Sequence, residues 1–190
     1  MQNKLTIIGG QWRSRKISFE EVEGLRPTPN RVRETLFNWL QYDIVASCCL
    51  DLYAGSGALS FEAASRGAKR VLQIENHPTA CRYLKSNATV LNATQIQLIH
   101  SDVLQFLSQN NETFDIVFLD PPFHLDLAAK TCVLLEQAGA LKSLAKIYVE
   151  TEHKDQNKKL FQLTGLPENW RLLKQKTAGE VMYHLFERTT

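Results

Sequence analysis

From residue 48 to residue 150, short apolar runs alternate with helix-patterned stretches, and that alternation constrains the fold more than any other feature of the chain. Strand-like runs fall at 48–53, 70–75, 96–100, 114–119 and 146–150. Helical patterns occupy 58–66, where Gly67 supplies a stop, then a stretch reaching about 91, about 103–109, and around 125–137. Short apolar strands separated by helices imply parallel βαβ units with both sheet faces covered. The tail breaks the pattern, because 170–177 and 181–187 are strand-like runs joined by Ala178-Gly179-Glu180. That is a hairpin, so at least one late strand is antiparallel. Residues 4–19 alternate weakly around Gly9-Gly10 and predict another hairpin at the start. Thr28 is a good N-cap and Pro29 suits a first helical position, ahead of an apolar stripe formed by Val32, Leu36 and Leu40 with Phe37 and Trp39. Core packing is the expected role of Trp39. The expected architecture is one doubly wound α/β domain over 1–190, with 1–24 as an N-terminal extension and 25–190 as the core.

A chain of 190 residues can enclose one sizeable core, and 44% hydrophobic with 22% charged residues is an ordinary globular composition. Its apolar stretches reach only about six residues, too short to span a bilayer, and the N-terminus shows no secretory h-region. Cys48, Cys49, Cys81 and Cys132 include no CxxC pair, so neither a zinc site nor a disulfide framework is expected. Free thiols in such a chain suit the reducing cytoplasm, and no metal is expected. Net charge is only +2, but residues 1–33 carry seven basic residues against three acidic ones, a local +4. A basic leading segment on a near-neutral body fits a phosphate-contacting arm, and equally a solvated hairpin with incidental charge.

The segment Asp51-Leu52-Tyr53-Ala54-Gly55-Ser56-Gly57 places two glycines at the end of the first core strand, just before a helix. Ligands of open α/β sheets sit at the carboxyl ends of strands near the switch point. Glycines there let the backbone approach a ligand and offer unhindered N–H donors. A dinucleotide fingerprint would need a third glycine where Ser60 stands. Glu75 ends the second strand 20 residues after Gly55 and could accept from ribose hydroxyls of a dinucleotide or of S-adenosylmethionine. Asp102, after the third strand, could accept from an adenine amino group with Val103 flanking the ring, or could cap the following helix. The expected cofactor set is Asp51, Ala54, Gly55, Ser56, Gly57, Glu75, Asn76, Asp102 and Val103.

The fourth core strand delivers Asp120-Pro121-Pro122-Phe123. Two prolines fix φ and donate no hydrogen bonds, so the turn is rigid and non-helical. An exocyclic amino nitrogen of a nucleobase is a poor nucleophile, because its lone pair is delocalised into the ring. Accepting its two N–H groups at Asp120 and the Pro121 carbonyl would orient it and favour an sp³-like nitrogen facing a sulfonium methyl. Phe123 would stack on a base turned out of its helix. A lone turn of this kind is also consistent with a structural role; the glycine turn and the acidic strand end beside it favour chemistry.

The blocks Gly10-Gln11-Trp12-Arg13-Ser14-Arg15-Lys16, Arg26-Pro27-Thr28 and Arg31-Val32-Arg33-Glu34-Thr35-Leu36-Phe37-Asn38-Trp39-Leu40 resemble the RsmD family of bacterial 16S rRNA guanine-N2 methyltransferases. The resemblance continues through the glycine turn, Glu75, the Asp120 turn, Ile147-Tyr148-Val149-Glu150 and Ala178-Gly179-Glu180-Val181. It implies a Rossmann-like class I S-adenosylmethionine-dependent methyltransferase fold, with a seven-stranded, mostly parallel sheet, an antiparallel last strand and the N-terminal β-hairpin. It implies S-adenosyl-L-methionine as donor and S-adenosyl-L-homocysteine as product. The implied acceptor is a guanine N2 of 16S rRNA, at the position numbered 966 in the usual rRNA scheme, within a small-subunit particle. Asp120, Pro121 and Phe123 fall on its catalytic turn. Arg13, Arg15, Lys16, Arg26 and Arg31 fall in the block to which RNA contact and closure over the site are ascribed, with Arg13 and Arg15 pointing together if they lie on a strand. Asp102 departs from the asparagine of some relatives. A monomer is expected. Other readings are methylation of adenine-N6 or cytosine-N4 in DNA or of a protein glutamine, an RNA-binding assembly module without catalysis, and a nicotinamide dehydrogenase. The turn alone does not separate the methylation readings.

Overall fold

The computed structural model describes residues 2–20, 28–122, 127–152 and 165–190. Its strands are β1 (Gln2–Thr6), β2 (Lys16–Glu20), β3 (Cys48–Asp51), β4 (Arg70–Glu75), β5 (Ile96–His100), β6 (Phe114–Leu119), β7 (Leu141–Glu152), β8 (Trp170–Ala178) and β9 (Val181–Arg188). The helices are α1 (Asn30–Trp39), α2 (Ala58–Ser65), α3 (Pro78–Leu91), α4 (Val103–Gln109) and α5 (Leu127–Gln137). Seven strands form one sheet in the order β5-β4-β3-β6-β7-β9-β8. Its first five strands pair in parallel, whereas β9 runs antiparallel between β7 and β8. This is the mostly parallel sheet with late antiparallel strands that the alternation and the terminal hairpin predict.

Strand alternation divides the core into two layers. Cys49, Val71, Ile116, Phe118 and Tyr148 face α1, α2, α3 and the N-terminal hairpin. Leu50, Leu72, Val117, Leu119, Ile147 and Val149 face the side covered by α4 and α5. Trp39 packs against the first layer, its ring centroid 5.5 Å from that of Tyr183. Among the described residues no helix is long and apolar enough to cross a membrane.

Three local expectations are corrected. Helix α1 begins at Asn30, with Pro29 in the capping position and no side-chain cap, so Thr28 is not the N-cap; its hydroxyl is spent on a tertiary partner described below. The first hairpin is not closed by a two-residue turn at Gly9-Gly10. Instead a short 3-10 turn at Gly10–Trp12 and a positive φ at Ser14 make a longer connection. Arg13 and Arg15 therefore lie in that connection, where strand alternation does not align them. Finally, β7 starts at Leu141 rather than 146, because an irregularity lets Leu141 pair with Phe114 before Lys146 pairs with Ile116.

Hairpin β1–β2 is a part of the core. Leu5, Ile7, Trp12, Ile17 and Phe19 are all buried in the first layer, so Trp12 has a packing role. Gly10 has φ +75, and a Cβ there would overlap the Ser65 carbonyl of α2. Only glycine permits both that backbone conformation and that close approach.

Candidate functional site

The sheet's crossover order changes direction at β3: β4 and β5 lie to one side, β6 and β7 to the other. The crevice expected at such a switch point opens beyond the carboxyl ends of β3 and β6. Alternation then decides which side chains share it. Asp51 lies two residues beyond Cys49, Glu75 four beyond Val71, Asp120 two beyond Phe118 and Glu150 two beyond Tyr148. All four carboxyls thus emerge on the same face and at the same end of the sheet.

The glycine turn after β3 is built for close approach. Gly55 and Gly57 have φ +51 and +78, and the Gly57 N–H donates to the Ala54 carbonyl at 2.7 Å. Gly57 caps α2 with no side chain closing its end. Glu75 ties the turn to the neighbouring strand: Gly55 N–H donates to its Oε2 at 2.8 Å, and His77 N–H to its Oε1 at 2.7 Å. Glu75 is buried, so it is not a solvated strand end. Asp102 caps α4, accepting from Leu104 and Gln105 N–H at 2.8 and 3.2 Å. Both expected uses of Asp102 remain compatible, since a carboxylate has further lone pairs. Val103 is buried in the second core layer, Asn76 is exposed, and Ala54 and Ser56 are buried.

Asp51 is 2% exposed, and its Oδ2 finds no hydrogen-bond partner among the described residues. Burial pushes its carboxyl up to about 7; contact with Ser60 opposes this, and the charges of Asp120 and Glu75 add to it. An unpartnered buried carboxyl oxygen beside an open helix N-terminus suits a ligand bearing an ammonium donor.

At the end of β6, Pro121 is buried and Pro122 exposed. Asp120 keeps partial exposure, and burial pushes its carboxyl up to about 7 against the opposing hydrogen bond from Thr28. That bond runs from Thr28 Oγ1 to Asp120 Oδ2 at 3.2 Å. Phe123 and Arg26 lie outside the described residues.

Sequence reasoning overlooked three contributors: Thr28, Tyr148 and Glu150. Glu150 is 3% exposed and accepts from the Tyr148 hydroxyl at 2.7 Å. A glutamate closing an apolar strand next to the strand that carries Asp120 was the available signal.

The hairpin's Lys4, Arg13, Arg15 and Lys16 are exposed, whereas Arg33 is fully buried, and the tip residues of the hairpin are not at the crevice. Gly9 and Trp12 hydrogen-bond Ser65, at the far end of α2 from Gly57, and Arg15 Nη2 donates to the Val90 carbonyl near the end of α3. The expected closure over the site is thus corrected for the described hairpin: its tip sits one helix length away, roughly 12 Å by the rise of α2. Arg31, on α1, is exposed three residues after Thr28.

A family model described as "Conserved hypothetical protein 95" matches residues 5–187. The ribosomal RNA small subunit methyltransferase D of Haemophilus influenzae is 48% identical over 98% of this chain and 95% of its own length. The chain belongs to the RsmD family. Its Escherichia coli member is 44% identical over 97% of this chain and 90% of its own. A solved Escherichia coli structure, the methyltransferase candidate yhhF, superposes with TM-score 0.86 at 44% identity, covering 99% of both chains. The family's architecture is therefore the one described above, a Rossmann-like methyltransferase sheet carrying an N-terminal hairpin.

Proposed function

We propose that this protein transfers a methyl group from S-adenosylmethionine to the N2 amino group of a guanine in 16S rRNA, in the cytoplasm and on a small-subunit particle. The carrying observation is the juxtaposition at the switch point: Asp120 ends β6 on the same face as the glycine turn and Asp51 of the adjacent β3. The near-full-length identity to relatives named small subunit methyltransferases supports an rRNA acceptor.

When bound, the donor supplies an electrophilic methyl on a positively charged sulfur. Asp51 would hold its ammonium group, which satisfies the buried Oδ2. Gly55, Ser56 and Gly57 would pass close to the donor with Ala54 at the turn, Glu75 would accept from its ribose, and Asp102, Val103 and Asn76 would flank its adenine. Asp120 and the Pro121 carbonyl would accept from the two N–H groups of the guanine amine, and Phe123 would stack on the base. The protein's contribution is orientation and a preorganised acceptor for the amine's proton, rather than covalent chemistry. Arg13, Arg15, Lys16, Arg26 and Arg31 would contact phosphates. A monomer suffices for this arrangement.

Asp120→Ala tests the assignment. With labelled methyl donor and small subunits from a strain lacking the enzyme, the variant should lose about 10²–10⁴-fold in kcat, the range for a positioned proton acceptor. Its affinity for S-adenosylhomocysteine by calorimetry should be kept. An unchanged rate removes Asp120 from the chemistry, and label appearing only in DNA or protein removes the rRNA acceptor.

A further inference from the structure

Helix α3 enters no step above, yet it joins the crevice to the tip of the N-terminal hairpin. It starts directly after His77, whose N–H donates to Glu75 Oε1 at 2.7 Å, so its first turn stands beside the glycine turn that Glu75 holds. Its last turn meets the hairpin, where Arg15 Nη2 donates to the Val90 carbonyl at 3.3 Å. Between these points β2 lies along the helix: Asn87 Oδ1 accepts from the Ser18 N–H at 2.9 Å, and Asn87 Nδ2 donates to the Ser18 carbonyl at 2.8 Å. Fourteen residues of α-helix make the connection about 21 Å long.

Helical period divides α3 into two faces. Ala80, Cys81, Leu84, Asn87 and Leu91 are buried. Arg82, Lys85, Ser86 and Thr89, at spacings i, i+3, i+4 and i+7, are exposed and form one stripe. No aspartate or glutamate occurs from residue 76 to residue 95. A solvated helix face usually interleaves the two signs, whereas this stripe carries positive charge and hydroxyls alone. Arg82 Nη2 donates to Thr79 Oγ1 at 3.0 Å. Among the described residues, neither Arg82 nor Lys85 forms an ion pair, and the same holds for Arg13, Arg15 and Lys16 of the hairpin. The acid of the adjoining strand, Glu20, is half-buried at the end of β2 away from that tip.

Resting on the rRNA acceptor proposed above, we propose that the exposed face of α3, through Arg82 and Lys85, is a track for the RNA backbone between the hairpin tip and the crevice. Cations three residues apart on one helix face stand roughly 5–6 Å apart at their Cβ atoms, and their long side chains can each meet a separate phosphate. Ser86 and Thr89 add hydroxyl donors beside them, the usual company of basic side chains at phosphates. Because Arg15 is fastened to Val90, the positive surface continues from the end of α3 into the hairpin. A backbone held along the helix arrives next to the glycine turn with a base free to enter the crevice. Such contacts set the position of the RNA and read no sequence.

The test is the binding of small-subunit RNA by filter retention over a range of salt, without methyl donor, so that the readout does not depend on catalysis. Arg82→Ala combined with Lys85→Ala should weaken binding and reduce the slope of log affinity against log salt by about 1.4–1.8, the loss of two phosphate contacts. Both positions are exposed and alanine is the best helix former, so α3 should persist. Arg82→Lys combined with Lys85→Arg keeps the charges and should keep the wild-type slope. Lys69→Ala combined with Lys130→Ala removes the same charge from exposed positions before β4 and on α5, across the sheet, and should leave the slope unchanged. A wild-type slope in the Arg82, Lys85 alanine variant would overturn the proposal. An equal loss in the Lys69, Lys130 variant would overturn it too, because net charge alone would then explain the attraction. In turnover on small-subunit particles the alanine variant should raise KM and keep kcat; a fall in kcat with KM unchanged would place these residues in the chemistry and not on a track. If the wild type binds no small-subunit RNA, the rRNA acceptor itself fails; if it binds and Asp120→Ala is inactive while the α3 variants match wild type, only the track fails.

Discussion

At the scale of the residue, Asp51 shows how a position legible in sequence acquires a property that is not. Its place before the glycine turn marks it as a ligand-side carboxyl, but only the packed structure shows that α2 and the neighbouring strands bury it and leave Oδ2 without a partner. With the folded value at about 7 against 3.8 for the free side chain, the native state binds this proton more tightly than the unfolded state. The resulting stability is present below about pH 4 and is lost as pH rises to about 7. Asp120 follows the same sign and window. Asp51→Asn should therefore flatten the decline in stability across that interval, read by urea unfolding of the ligand-free protein at several pH values. A slope identical to wild type would mean that Asp51 is ionised throughout.

Helix α2 gives the lesson at the scale of the element. Its sequence, ALSFEAAS, is apolar apart from Glu62 and the two serines Ser60 and Ser65, and all eight residues are buried. Glu62 is the acceptor that fastens the N-terminal hairpin to the core. Ile8 and Gly9 N–H donate to it at 2.8 Å each, Arg66 Nε at 2.7 Å and Arg33 Nη1 at 3.4 Å. Arg33, also fully buried, reaches on to the Thr6 carbonyl and Asn30. Removing one member leaves the other as an uncompensated buried charge. Glu62→Ala should cost about 3–5 kcal/mol and lower Tm by roughly 6–20 °C in a chain of this size. The exposed pair of Arg70 and Glu112 is the contrast, because Glu112→Ala should cost under about 1 kcal/mol. Calorimetry of both variants decides this, and equal losses would show that Glu62 is no clasp. A lone acid in an apolar helix was visible in the sequence; its four donors came from segments up to 54 residues away and were not.

At the scale of the whole molecule, the cluster of carboxyls and the exposed basic residues of the hairpin connection are separated. The acidic crevice lies at the carboxyl ends of the sheet, whereas Arg13, Arg15 and Lys16 lie near the opposite end of α2. A substrate that touches both must extend along the hairpin face. Changing all three residues to Ala should weaken RNA binding and reduce the slope of log affinity against log salt by up to about 2. Because the tip is remote from Asp120, KM should rise while kcat stays unchanged. A salt slope that does not move would show that these charges meet no phosphates, and an equal fall in kcat would place them at the reacting end.

The sequence by itself determined the architecture and the two turns of the candidate site. Period-two and period-3.6 patterns located the core strands within a residue or two, apart from the early start of β7, and two local motifs, the glycine turn and the Asp120 turn, marked the crevice. These are properties of neighbouring residues, and neighbouring residues carry them. Only the tertiary structure decided that Thr28 serves Asp120 instead of capping α1, that Glu150 stands next in register to it, and that the hairpin tip lies far from the crevice. Those outcomes depend on sheet order and burial, which set who meets whom and how costly an unpartnered charge becomes, and no local pattern encodes either.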